Sequence, residues 1–184
     1  MKDFKSALDN VSASSAGGAP FLIAYGTTFL ITAILSYFLP RSTVALIAMF
    51  QGGLALPVSF LLERRMAFRP RDRQNPLNEL SGQIAMSQAF GLPALIVAYS
   101  LDPGAIPVVL ASLGGVHFFP YAWLHRTRAY MALGGIIAVG AFVLQIVFGA
   151  DAFHYNLFLV AIAYWVAVPL VYRNAKTLVG EAAA

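Results

Sequence analysis

Six successive apolar stretches, none with a charged residue near its middle, run through this chain from Ala19 to Tyr172. Each is long enough to cross a bilayer, which takes about 20 apolar residues in a helix. In hydrocarbon every backbone N–H and C=O needs a partner inside the protein, so such stretches are read as helices. Their limits read as 19–39, 43–62, 79–100, 104–124, 129–148 and 154–172. The predicted fold is all-α: a polytopic membrane protein with six transmembrane helices, preceded by 1–18 and followed by a polar tail, 173–184. Composition agrees. Charged residues make up 11% of the chain, where a soluble domain carries about 25%. So few charges do not build a water-facing surface.

The basic residues set the orientation. Lys2 and Lys5 precede the first helix, and Arg64, Arg65, Arg69, Arg71 and Arg73 lie in or beside the longest connection. Arg126 and Arg128 sit in the next connection on that side, and Arg173 and Lys176 follow the last helix. That is eleven of the twelve Lys and Arg; only Arg41 falls on the other side. Cytoplasmic connections carry the excess of Lys and Arg. Both termini are therefore expected in the cytoplasm, with the helices paired as three hairpins. An odd helix count would break this agreement. The net charge of +4 is then a matter of topology, and no nucleic-acid surface is expected. The first apolar run exceeds the roughly 7–15-residue core of a signal peptide, so it reads as a retained helix. Within 1–17, Phe4, Leu8 and Val11 share one helical face. Two readings stay open there, a frayed tail or a short helix lying on the membrane surface.

Several chemistries are excluded or disfavoured. The chain has no cysteine, so disulfides and thiolate chemistry are out. It has no phosphate-cradling Gly-Lys loop, no metalloprotease helix motif and no nucleophile elbow. Pumps and ion-driven carriers usually keep a charged acid or base at depth, and no helix here has a charged residue near its middle. His117, His125 and His154 fall at three depths, too far apart to share a zinc ion bonded at about 2 Å or a haem. No metal and no cofactor is expected. Glu63 and Glu79 flank the arginine-rich connection and are expected to pair with its arginines.

What remains is a set of polar residues at one depth. Counted from the cytoplasmic helix ends at 1.5 Å per residue, Gln51, Gln88 and His117 fall within about 6 Å of one level. Tyr164, near the centre of the sixth helix, is placed to join them. Buried amides and imidazoles seek hydrogen-bond partners in hydrocarbon. The four either hold helices together or line a ligand pocket. The densest stretch runs from Gly114 to His125, with Pro120 freeing the carbonyl of Val116 beside His117. Tyr121 and Trp123 fit the aromatic belt at a membrane surface. The small-residue pairs Ser81/Ala85, Ser87/Gly91, Ala111/Gly115 and Gly134/Ala138 read as surfaces for close helix approach. The arginines 64, 65, 69, 71 and 73 either mark topology or contact anionic lipid head groups, at about 1 kcal/mol each.

The run Gly115-Val116-His117-Phe118-Phe119-Pro120-Tyr121-Ala122-Trp123-Leu124, with Asn75-Pro76-Leu77-Asn78 opening the third helix, resembles an uncharacterised family of small bacterial membrane proteins. That family is defined as a domain of unknown function. The resemblance implies a bacterial inner-membrane location and supplies no activity. Three functions stay open. The first is a small-molecule transporter or ligand-binding membrane protein, with its pocket at Gln51, Gln88, His117 and Tyr164. The second is a non-catalytic accessory or assembly subunit of a larger membrane complex. The third and weakest is a lipid-modifying enzyme using His125, Glu63 or Glu79. The expected partners are membrane lipids and either a second copy of the chain or a larger complex.

Overall fold

The computed structural model describes residues 2–181. Those residues are 88% helical, with no strand among them. The helices are α1 (Lys2–Ser14), α2 (Ala19–Leu35), α3 (Arg41–Phe50), α4 (Gly52–Met66), α5 (Leu77–Ser87), α6 (Leu92–Leu101), α7 (Ile106–Leu124), α8 (Ala129–Phe148) and α9 (Ala152–Glu181). Two breaks fall inside expected helices. Gln51 forms a turn between α3 and α4 but keeps helical angles, so Arg41–Met66 is one span of 26 residues. A 3-10 turn at Gln88–Gly91 joins α5 to α6. Pro93 follows it in the first turn of α6 and has no N–H to continue the helical ladder.

Five helical stretches are long and apolar enough to cross a membrane. The last, Ala129–Gly180, has 52 residues. As one straight helix it would reach about 78 Å at 1.5 Å per residue, more than twice the hydrocarbon core of about 30 Å. Gly149, at φ 55°, breaks it, and α8 and α9 pack along each other. The break separates α8, of 20 residues, from α9, of 30.

The most extensive packing joins α7 to α8 and α2 to α9, followed by α8 with α9 and α2 with α4. The core lies among these helices, around fully buried Ile106, Ile137, Phe153, Leu157, Val160 and Val171. Small residues set the closest approach. A Cβ added to Gly115 on α7 would stand 2.7 Å from the Gly134 carbonyl and 2.6 Å from Ala138 Cβ on α8. Two of the small-residue pairs read from the sequence thus interlock, Ala111/Gly115 against Gly134/Ala138. The pairs Ser81/Ala85 and Ser87/Gly91 meet no facing backbone in this way; a Cβ on Gly91 would meet the Leu113 side chain at 3.1 Å. Gly82 has nothing within 4 Å of an added Cβ, and residues 85–90 are all exposed, meaning uncovered by their own chain.

The two ends of the bundle differ. One end gathers α1, the arginine-rich connection, the turn at 125–128 and the last turns of α9. At the other end, Ser36 Oγ lies 2.6 Å from His154 Nδ1, and Arg41 stands 3.8 Å from Asp151. Residues 2–14 are helical. They form α1, and Leu8 and Val11 pack with Leu77 and Leu124. Beyond Arg173, α9 continues as far as Glu181. Val171, Ala175 and Leu178 extend one buried stripe, and Arg69 Nη2 donates to the Val179 carbonyl at 3.2 Å.

Candidate functional site

The residues singled out from the sequence gather mainly around one turn of α7. Gln88 Nε2 donates to the Leu113 carbonyl at 3.2 Å. At the next position, a Cβ on Gly114 would lie 3.7 Å from Tyr164 Oη. His117 follows one turn later. Gln51 stands apart from this group. Its Nε2 donates to Ala48 of its own helix at 3.1 Å, and its Oε1 is buried without a partner. The His117 Nδ1 is likewise buried and unpartnered. Gln88 is exposed, whereas Tyr164 is buried.

His117 belongs to a chain of rings. It stands 5.1 Å from Tyr121, which stacks on His125 at 5.7 Å. Tyr130 lies 5.4 Å from His125 and stacks on Phe118 at 5.6 Å. Phe118 meets Tyr164 edge-on at 5.5 Å, and Tyr164 meets Phe29 at 5.8 Å. Ring pairs at these separations contribute about 0.5–1.5 kcal/mol each beyond their buried area. The helix runs on through Pro120, whose ring leaves the Val116 carbonyl without its usual N–H partner.

The sequence reading did not single out Tyr130 or Asn174 at the lower end of this ladder. Tyr130 Oη donates to the Gly17 carbonyl at 2.6 Å. Asn174 Nδ2 donates to the His125 carbonyl at 3.0 Å. His125 itself is 3% exposed, and burial pushes its imidazole down to about 4, so it is neutral near pH 7. It faces Tyr121 and Tyr130, with no carboxylate hydrogen-bonded to it among the described residues. Asn156, also missed, is fully buried in α9 with neither amide atom partnered. A lone Asn in an apolar run was the signal available for it.

The arginines separate into two groups. Arg71 pairs with Glu63 at 2.5 Å, and Arg69 is held by α9. Arg64, Arg65 and Arg73 are exposed. Their connection is bound to α1: Phe68 N–H donates to the Ala13 carbonyl, and Asn75 Nδ2 to the Ala7 carbonyl at 2.8 Å. Asn75 Oδ1 also accepts from Leu77 N–H at 3.0 Å, starting α5. That explains the Asn75-Pro76-Leu77-Asn78 run physically.

Two grooves open on the outside of the bundle. One, of about 340 Å³, is lined by Leu30, Ala161, Ile162, Trp165 and Val166. The other, of about 430 Å³, is lined by Phe119, Trp123, Arg126, Thr127, Arg128 and Met131 among others. Gln51, Gln88, His117 and Tyr164 line neither.

A helical bundle with several membrane-length apolar segments, and polar side chains confined to a few interior contacts, is the fold of a helical membrane protein. The chain belongs to a family of unknown function, DUF7010, whose model matches residues 4–174. No curated protein and no solved structure matches it.

Proposed function

We propose that this chain is a non-catalytic accessory or assembly subunit, working against another membrane-embedded chain. In this reading it is a multi-pass protein of the bacterial inner membrane. Six spans form three hairpins, with both termini and the arginine-rich end in the cytoplasm. The observation that carries the reading is the segment Leu77–Leu101, the least buried of the membrane-length stretches. Met86 and Phe90 are 62% and 82% exposed, and Gly82 faces nothing. Membrane helices associate through close packing of small residues rather than a hydrophobic drive. A span that presents Gly82, Ala85 and Ala89 without covering them inside its own chain is suited to another helix.

Photo-crosslinking in native membranes tests this. Probes at positions 86 and 90 are expected to give discrete protein adducts. A probe at position 139 on α8, where Val139 is 61% exposed, is expected to label lipid alone. Lipid labelling at all three, with a monomer in mild detergent, would overturn the reading. Because the chain lacks cysteine, single-cysteine variants at Phe38, Arg73 and Thr127 test the orientation with an impermeant thiol reagent. Only position 38 should react from outside.

A second reading, ligand binding or transport at Gln51, Gln88, His117 and Tyr164, draws on the unpartnered Gln51 Oε1 and His117 Nδ1. Buried polar atoms left alone are costly and invite a ligand. It expects Gln88→Cys and His117→Cys to react with a water-soluble thiol reagent. Protection of both positions from that reagent in the folded protein would exclude an aqueous pocket.

A further inference from the structure

The groove between the end of α7 and the start of α8 lies apart from both the ring ladder and the uncovered third span. Its lower wall is apolar. Phe119 and Trp123 lie four residues apart on one face of α7, 49% and 52% exposed, and Met131 on α8 is 50% exposed. Its rim is basic, formed by Arg126 and Arg128 in the connection between the two helices. Arg126 is already engaged, with Nη1 2.6 Å from Asp9 Oδ1. Arg128 is exposed and forms no salt bridge among the described residues. No acidic side chain lines the groove, so Asp9 offsets one of its two cations and the other stands free. Thr127 Oγ1 accepts from Ala129 N–H at 3.3 Å, which leaves its hydroxyl hydrogen directed elsewhere.

We propose that this groove holds an anionic phospholipid. Its phosphate rests on Arg128 and the Thr127 hydroxyl, and one acyl chain lies along Trp123 and Phe119. Charge complementarity selects the occupant. A cation at the rim above an apolar wall, whose two rings lie about 6 Å apart along α7 at 1.5 Å per residue, matches a lipid, which carries charge at its head and hydrocarbon directly below. Trp123 in that wall suits the membrane interface. A neutral lipid would meet the rings but leave the Arg128 charge uncompensated. Free phosphate would meet Arg128 and leave the rings unused.

Trp123 reports on the groove directly. The chain has two tryptophans, so Trp165→Phe leaves Trp123 as the sole fluorophore. The full chain carrying that substitution is placed in nanodiscs containing brominated phosphatidylglycerol or brominated phosphatidylcholine, and quenching is compared. The glycerol lipid is expected to occupy the groove about fivefold more strongly, the size of effect one cation exerts beside anionic lipid. Arg128→Ala should remove that preference, and Arg128→Lys should keep most of it. Lys176→Ala, an exposed cation on α9 that does not line the groove, should leave it unchanged. Equal quenching by both lipids, or equal loss from Arg128→Ala and Lys176→Ala, would overturn the proposal. So would removal of the preference by inorganic phosphate at unchanged ionic strength. Helix content and elution volume confirm that each variant folds.

Discussion

The hydroxyl of Tyr130, at the start of α8, donates to the carbonyl of Gly17, in the turn between α1 and α2. This bond joins two elements more than a hundred residues apart. Gly17 and Gly18 adopt φ of 66° and 81°, angles that glycine takes without steric cost. Tyr130→Phe leaves the Gly17 carbonyl buried and unpaired, which costs about 1–3 kcal/mol. Gly18→Ala is expected to cost more, because its Cβ would overlap the Tyr130 hydroxyl. Gly53→Ala, with nothing nearby, should be neutral or slightly stabilising. Unfolding midpoints in mixed detergent should follow that order; a Gly18→Ala variant as stable as the parent would contradict it.

The contact of Gly115 with Gly134 predicts that α7 and α8 cannot accept a larger residue at either position. Gly115→Val is expected to lower Tm sharply, since even a Cβ would meet the Gly134 carbonyl at 2.7 Å. Gly135→Val, one residue away and facing open space, should change Tm by little. Overpacking of this kind costs about 1–3 kcal/mol in well-packed interiors. Similar Tm values for the two variants would show that the helix pair is looser than described.

His125 makes stability depend on pH. Its folded-state value of about 4 lies below the ordinary 6.5, so the unfolded chain takes up its proton first as pH falls. Stability from this group is full above about pH 6.5 and is lost between 6.5 and 4. The loss amounts to roughly tenfold in the folding constant per pH unit. Chemical unfolding in detergent at pH 7.5, 6 and 5 measures the slope. His125→Phe should make it shallower, and an unchanged slope in that variant would assign the acid sensitivity to other groups.

Asn156 predicts a gain rather than a loss. Its amide is fully buried and makes no hydrogen bond, and such a group costs about 1–3 kcal/mol. Asn156→Leu should therefore raise the unfolding midpoint. A marked fall would mean that the amide has a partner in the membrane-embedded protein.

Helix positions were largely legible in the sequence because apolar length and charge sign act locally. The fifth segment, 129–148, coincides with α8. The sixth was cut short at 172 because Arg173 and Lys176 looked like a tail, whereas Ala175 and Leu178 continue the buried stripe. Those two residues are buried by the fold around them, which no local pattern encodes. The same holds for α1, whose Leu8 and Val11 find partners at Leu77 and Leu124. Depth could be counted along each helix, and it put Gln88, His117 and Tyr164 near one turn of α7. Rotation about the helix axis could not be counted, and Gln51 accordingly faces its own helix. Tyr130 was overlooked because its partner is a backbone carbonyl, which carries no residue signature.

The sparse attachment of α5 and α6 has a consequence for assembly. Among residues 77–101 only Leu77 and Leu95 are buried, and the turn at Gln88–Gly91 interrupts the helix between them. Detaching this segment would sacrifice few contacts and leave the α2, α7, α8 and α9 core closed. It is thus the cheapest element for two copies of the chain to exchange, and domain swapping would preserve every contact it makes.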